Sequence, residues 1–261
     1  MLETGTDVVP ARPEFHSLVD LLRERAEGMP DQLAYQFLVD GRHEGARITY
    51  GGLNRQAQAI GARLRSVAQR GDRALLMYPP GTGFLPAFFG CLYAGVIAIP
   101  LPPPDTTRMK RALPRLAAVV QDAQASLALT TGEIQTALQD HFERTSEFQQ
   151  IRWLDTGSSQ GDTAWRDSDV ETASGAAIQS TRMFHVGPAP DDVAFLQYTS
   201  GSTSAPKGVI VSHANVISQC RSLAAASDYS TDSVTATWMP YFHDYGLIEG
   251  LLLPLFVGIP C

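Results

Sequence analysis

Between Ala74 and Pro104 the chain carries no Asp, Glu, Lys or Arg. A stretch of that length without charge has to be buried, either in lipid or in a protein core. Its punctuation separates the two. Pro79-Pro80-Gly81, Gly83, Pro86, Gly90, Gly95 and Pro100 cut it into pieces too short to span a bilayer as one helix. The pieces read as a strand over 74–78, a turn, a helix over 84–94 and a second strand over 96–99. Two apolar strands joined by an apolar helix make a parallel unit, its sheet covered on both faces. A membrane span is the alternative, and the breakers argue against it.

The same alternation continues on either side. Phe15, Leu18, Leu22 and Ala26 share one face of a helix over 15–26, ended by Gly28-Met29-Pro30. Strands follow at 33–39 and 47–50, separated by Asp40-Gly41. Leu53, Ala57, Ile60 and Leu64 mark a helix that ends near Arg70-Gly71. The four prolines from Pro100 to Pro104 read as a stiff surface turn. Beyond them come a helix over 108–124, a strand over 127–130, a helix over 133–142 and a strand over 151–154. This is an α/β fold of layered sheets with crossover helices. Residues 157–192 are rich in Gly, Ser, Ala, Asp and Thr and lack apolar periodicity. They read as a surface loop, with an interdomain linker as the alternative. A strand at 193–196 and a β-branched run at 209–211 follow. Ser212 is positioned to cap a helix over 214–226. The remainder reads as a strand over 234–238, a polar-aromatic turn, a helix over 247–253 and a strand beginning at 255–257.

Composition narrows the function. A net charge of −7 supplies no basic face for nucleic acid. Cys91, Cys220 and Cys261 are odd in number and far apart, which fits neither a disulfide framework nor a zinc site. A reducing cytoplasm is the expected setting, and the first residues lack the basic start and apolar core of a signal peptide.

Two segments carry chemistry. From Gln197 the chain reads Gln-Tyr-Thr-Ser-Gly-Ser-Thr-Ser-Ala-Pro-Lys-Gly, ending at Gly208. Between two strand-like runs, this is a loop suited to polyphosphate. Gly201 lets the backbone come close, successive N–H groups can form an anion-binding concavity, and Thr199, Ser200, Ser202 and Thr203 add hydroxyl donors. Lys207 adds a mobile positive charge, and Pro206 favours a turn just before it. The pattern is not a Walker loop, because Gly208 and a strand follow the lysine instead of Ser/Thr and a helix. The alternative is a solvated Ser/Thr loop. The second segment, 238–250, places His243 beside Asp244 ahead of Gly246. Neighbours in a strand face opposite ways, so on spacing alone the pair need not cooperate, and a structural histidine is the alternative.

Together these segments resemble the adenylate-forming superfamily, which includes acyl-CoA synthetases, peptide-synthetase adenylation domains, luciferases and fatty acyl-AMP ligases. Thr199-Ser200-Gly201-Ser202-Thr203 with Pro206-Lys207-Gly208 looks like its ATP-phosphate loop. Ser204 stands where members typically carry glycine, and with Gln197-Tyr198 it resembles the fatty acyl-AMP ligase branch. Pro240-Tyr241-Phe242-His243-Asp244-Tyr245-Gly246-Leu247 is similar to the segment that borders the carboxylate pocket. The runs 75–81 and 88–100 resemble the early part of the same ligases. The likeness covers about residues 15–261.

The resemblance implies ATP-dependent activation of a fatty acid to acyl-AMP, with Mg²⁺ bridging the phosphates and transfer to an acyl carrier protein. It implies phosphate contacts from Thr199, Ser200, Gly201, Ser202, Thr203 and Lys207. His243, Asp244 and Gly246 would line the acyl–adenylate wall. It assigns no catalytic residue and no metal ligand to this chain. The adenine clasp, the Mg²⁺ glutamate, the ribose aspartate and a catalytic lysine of a mobile C-terminal domain would all lie past Cys261. The expectation is therefore an incomplete large N-terminal domain, inactive alone, from the loading end of a polyketide or peptide synthase. An acyl-CoA synthetase and a non-catalytic nucleotide-binding or scaffold module are the rival readings.

Overall fold

The computed structural model describes residues 14–143, 145–157, 187–199 and 206–261. Helix α1 (Leu18–Gly28) is capped by the Ser17 hydroxyl, which accepts from Asp20 N at 3.1 Å. An antiparallel pair follows, β1 (Leu33–Val39) and β2 (His43–Thr49), turned at Asp40 and Gly41, both at positive φ. Helix α2 (Tyr50–Arg65) buries Leu53, Ala57, Ile60 and Leu64, the face its sequence spacing marks. The uncharged stretch becomes β3 (Arg73–Met77), α3 (Phe84–Ala94) and β4 (Ile97–Leu101). In α3 every residue from Phe84 to Tyr93 is buried, so the lack of charge reflects a helix covered on all sides. Then come α4 (Met109–Ala123), β5 (Leu127–Thr131), α5 (Gly132–Glu143), the short α6 (Ser146–Gln149) and β6 (Arg152–Gly157). Of the expected 157–192 loop, residues 158–186 lie outside the described residues. The chain resumes with β7 (Val193–Thr199), β8 (Lys207–Ser212) and α7 (His213–Ala226), whose Ser212 and Asn215 form a capping box. A π-helix (Gly246–Leu252) runs directly into α8 (Leu253–Val257).

Six strands form the main sheet in the order β6-β5-β3-β4-β7-β8. All neighbours are parallel except β7 and β8, which pair antiparallel. Winding starts at β3, steps to β4, then crosses back to β5 and β6. The carboxyl ends of β3 and β4 therefore flank a topological switch point, the place where such sheets bind ligands. Alternate residues of β3 build two cores. Ala74 and Leu76 pack with α1, α2, α3, α7 and α8, whereas Leu75 and Met77 pack with α4, α5 and α6. Each fully buried aliphatic side chain contributes roughly 1.5–3 kcal/mol. Among the described residues no helix is long and apolar enough to cross a membrane.

Three local readings change. Pro100 lies inside β4, opposite Leu76, and is not part of the surface turn. The ladder between β4 and β7 is confined to Ala98 and Phe195, so the N–H that proline lacks falls where β4 has little pairing to lose. Residues 234–238 form no strand; Thr235 N donates to Pro260 O at 3.0 Å, and Trp238 is 90% exposed. Residues 255–257 belong to helix α8, which has Pro254 in its first turn and Gly258 closing it at φ 89°.

Candidate functional site

The antiparallel pairing of β7 and β8 sets Tyr198 opposite Gly208 and Thr199 opposite Lys207. Thr199 and Lys207 are both exposed, facing each other where β7 ends and β8 begins. Ser200, Gly201, Ser202 and Thr203 lie outside the described residues. What is described is the base of the loop, and it is anchored from both faces of the sheet. On one face the Gln197 amide donates Nε2–H to Phe242 O at 2.8 Å. On the other the Tyr198 hydroxyl donates to Asp122 Oδ2, on α4, at 2.6 Å. Burial, and then this bond to a carboxylate, push the Tyr198 phenol above its ordinary value. Gly208 makes room for the ring: a Cβ there would sit 2.9 Å from Tyr198 Cζ.

The second segment begins with Tyr241, which turns inward. Its hydroxyl accepts from Tyr78 N at 2.8 Å and lies 2.9 Å from the carbonyl oxygens of Tyr78 and Leu101. One hydroxyl thus joins the chain leaving β3 to the last residue of β4, at the switch point. The ring stacks on Phe84 with centroids 4.0 Å apart. Burial raises the Tyr241 phenol, keeping it a neutral donor. The next residues turn outward, with His243 N donating to Pro240 O at 3.0 Å. His243 and Asp244 sit in this tight turn and not in a strand, so their side chains can meet. His243 Nδ1 lies 2.7 Å from Asp244 Oδ1, and both side chains are exposed. Tyr245 N, 3.3 Å from Nδ1, has its nearer acceptor in Asp244 Oδ1 at 2.8 Å. Gly246 allows the turn to close: a Cβ on it would stand 2.1 Å from Pro240 O. The π-helix starts at this glycine, a geometry often found beside functional sites.

The two segments meet. Gln197 is two residues before Thr199, and the Phe242 carbonyl it holds belongs to the peptide leading into His243. The loop base and the histidine turn are thereby fixed side by side on one face of the sheet. Sequence reasoning noted Gln197-Tyr198 only as a mark of resemblance and gave Tyr241 no role. The signal for both is chemical: a Gln and a Tyr within otherwise apolar surroundings need hydrogen-bond partners. Among the described residues no group of three His, Cys, Asp or Glu side chains is placed to hold a metal.

The family model described as AMP-binding enzyme matches residues 22–261. The chain is 44% identical over 257 residues to the medium-chain-fatty-acid–[acyl-carrier-protein] ligase JamA of Moorena producens, covering 96% of this chain and 40% of that one. It is 30% identical over 258 residues to the corresponding ligase TtuA of Teredinibacter turnerae, covering 90% and 40%. The fatty acyl-adenylate ligase of L. pneumophila, solved with acyl adenylate and pyrophosphate, superposes with a TM-score of 0.76 at 30% identity, over 95% of this chain and 39% of that one. The chain thus spans about 40% of the length of the relatives it matches. With the match running from α1 through the loop base and the histidine turn to the end of α8, the chain belongs to the family of AMP-binding enzymes.

Proposed function

We propose that this chain is the first part of the large N-terminal domain of a fatty acyl-AMP ligase. The hydrogen bond from Gln197 to Phe242 carries the reading, because it joins the base of the phosphate loop to the turn bearing His243. In the proposed reaction a fatty carboxylate attacks the α-phosphorus of ATP, giving acyl-AMP and pyrophosphate. The carboxylate is already an anion, so positioning and charge neutralisation do the work, not a general base. Lys207 and Thr199, exposed and opposed, suit the β- and γ-phosphates, together with Ser200, Gly201, Ser202 and Thr203. Mg²⁺ bound to the triphosphate would add charge neutralisation beside Lys207, and among the described residues no cluster of three His, Cys, Asp or Glu side chains is placed to hold it. His243, Asp244 and Gly246 form the wall between acyl group and adenylate.

The acyl group then passes to an acyl carrier protein or to a downstream polyketide or peptide synthase module, in the cytoplasm. Both ligases named above use carrier protein, which favours this acceptor over CoA. Fatty-acid-dependent exchange of labelled pyrophosphate into ATP by the complete ligase tests the reading. Lys207→Ala should lower it at least tenfold (about 1.4 kcal/mol), and residues 1–261 alone should form no acyl-AMP. Undiminished exchange by Lys207→Ala would remove the loop from the site. Offering CoA and carrier protein in parallel decides the acceptor.

A further inference from the structure

Gln197 is 6% exposed and shares its face of the sheet with Phe195 and the apolar core around it. An apolar side chain of equal size would pack there without burying polar atoms. Gln197 instead gives Nε2–H to Phe242 O, and its Oε1 is buried with no hydrogen-bond partner among the described residues. A buried acceptor left unpaired opposes folding. The bond the amide makes is offset by the acceptor it leaves unpaired, so stability alone gives little reason for a glutamine here, and the link it makes is what remains to explain it. That link runs from the strand entering the phosphate loop to the peptide that orients His243.

We propose that Gln197 is a positioning residue for adenylation, holding the histidine turn in register with the paired residues Thr199 and Lys207 so that carboxylate and triphosphate are presented together. The proposal rests on the ligase reading given above. It is tested in the complete ligase by pyrophosphate exchange, from about pH 6 to about pH 9, a range in which a buried carboxyl can titrate. Gln197→Met keeps the volume and donates nothing; it removes the unpaired oxygen but frees Phe242 O of its donor, so the number of unpaired acceptors stays the same and the fold tolerates the change. Its kcat should fall about tenfold while KM for ATP and for fatty acid stay within about twofold. Gln197→Glu discriminates further. A neutral carboxyl can donate to Phe242 O, a carboxylate cannot, and burial keeps the neutral form populated at the acid end. Relative to wild type, the Glu variant should gain turnover as pH falls, while the Met variant stays low throughout. A Met variant with wild-type kcat, or a Glu variant whose pH profile parallels wild type, overturns the proposal. A wild-type ligase that shows no fatty-acid-dependent exchange sinks the ligase reading itself, whereas active wild type with indifferent variants sinks only the role of Gln197.

Discussion

At the scale of single residues, Gly246 bears the tightest constraint of the histidine turn. A methyl group there would meet Pro240 O at 2.1 Å, with Pro240 C and Met239 O behind it, and all three are backbone atoms. No rotamer change relieves that contact, so the turn itself must open. Gly246→Ala should destabilise the chain by about 3 kcal/mol, the upper end for overpacking. Gly28→Ala is the control, since nothing lies within 4 Å of its added Cβ, and it should change stability by less than about 1 kcal/mol. Urea denaturation midpoints measure both. Gly246 was legible in the sequence as part of a motif, but its reason was not, because the obstructing carbonyl is set by how the turn folds back. Tyr241 was less legible still. Its three hydrogen-bond contacts go to Tyr78, just past β3, and to Leu101, the last residue of β4, both far away in sequence.

At the scale of elements, one histidine joins two helices. His213, the first residue of α7, is 2% exposed and accepts the Leu18 amide of α1 at 3.2 Å through Nδ1. It thereby satisfies one of the N–H groups that a helix start leaves open. Burial lowers its pKa to about 4, against the opposing pull of Asp192 and Asp20, while Arg70 adds to the lowering. The unfolded chain binds this proton near pH 6.5 and the folded chain only near 4, so stability is full above 6.5 and is lost as pH falls toward 4. Between pH 7 and pH 5 the loss should be roughly 2 kcal/mol. His213→Gln keeps an acceptor but does not titrate, and should flatten the urea-midpoint slope by that amount. Element types were legible wherever burial agreed with pattern, as in α3, whose bounds the glycines and prolines already marked. The failures have physical causes. Residues 234–238 have strand composition, but composition cannot supply a neighbouring ladder. Residues 255–257 looked like a strand because a short apolar run fits either state, while Pro254 and Gly258 carried the helix signal.

At the scale of the whole molecule, β8 closes one side of the main sheet with Val209 and Ile210 exposed, Ile210 by 67%. An apolar edge strand is a template for pairing with another chain. Residues 1–261 should self-associate as concentration rises, and Ile210→Lys should weaken that at least tenfold (about 1.4 kcal/mol), as read by sedimentation velocity. If the lysine variant associates as strongly as wild type, the edge is not the surface responsible. The fold also joins its first helix to its last. Arg25 of α1 donates to Leu255 O at 3.0 Å and to Phe256 O at 2.6 Å, closing the end of α8, and Phe15 meets Phe256 edge to face. Those contacts are separated by 230 residues of chain. On a ribosome adding about 5–20 residues per second, α1 emerges roughly ten to fifty seconds before its acceptors exist. Throughout that interval Arg25 and Phe15 lack their partners on α8, and the first helix has only its neighbours α2 and α3 to hold it in place.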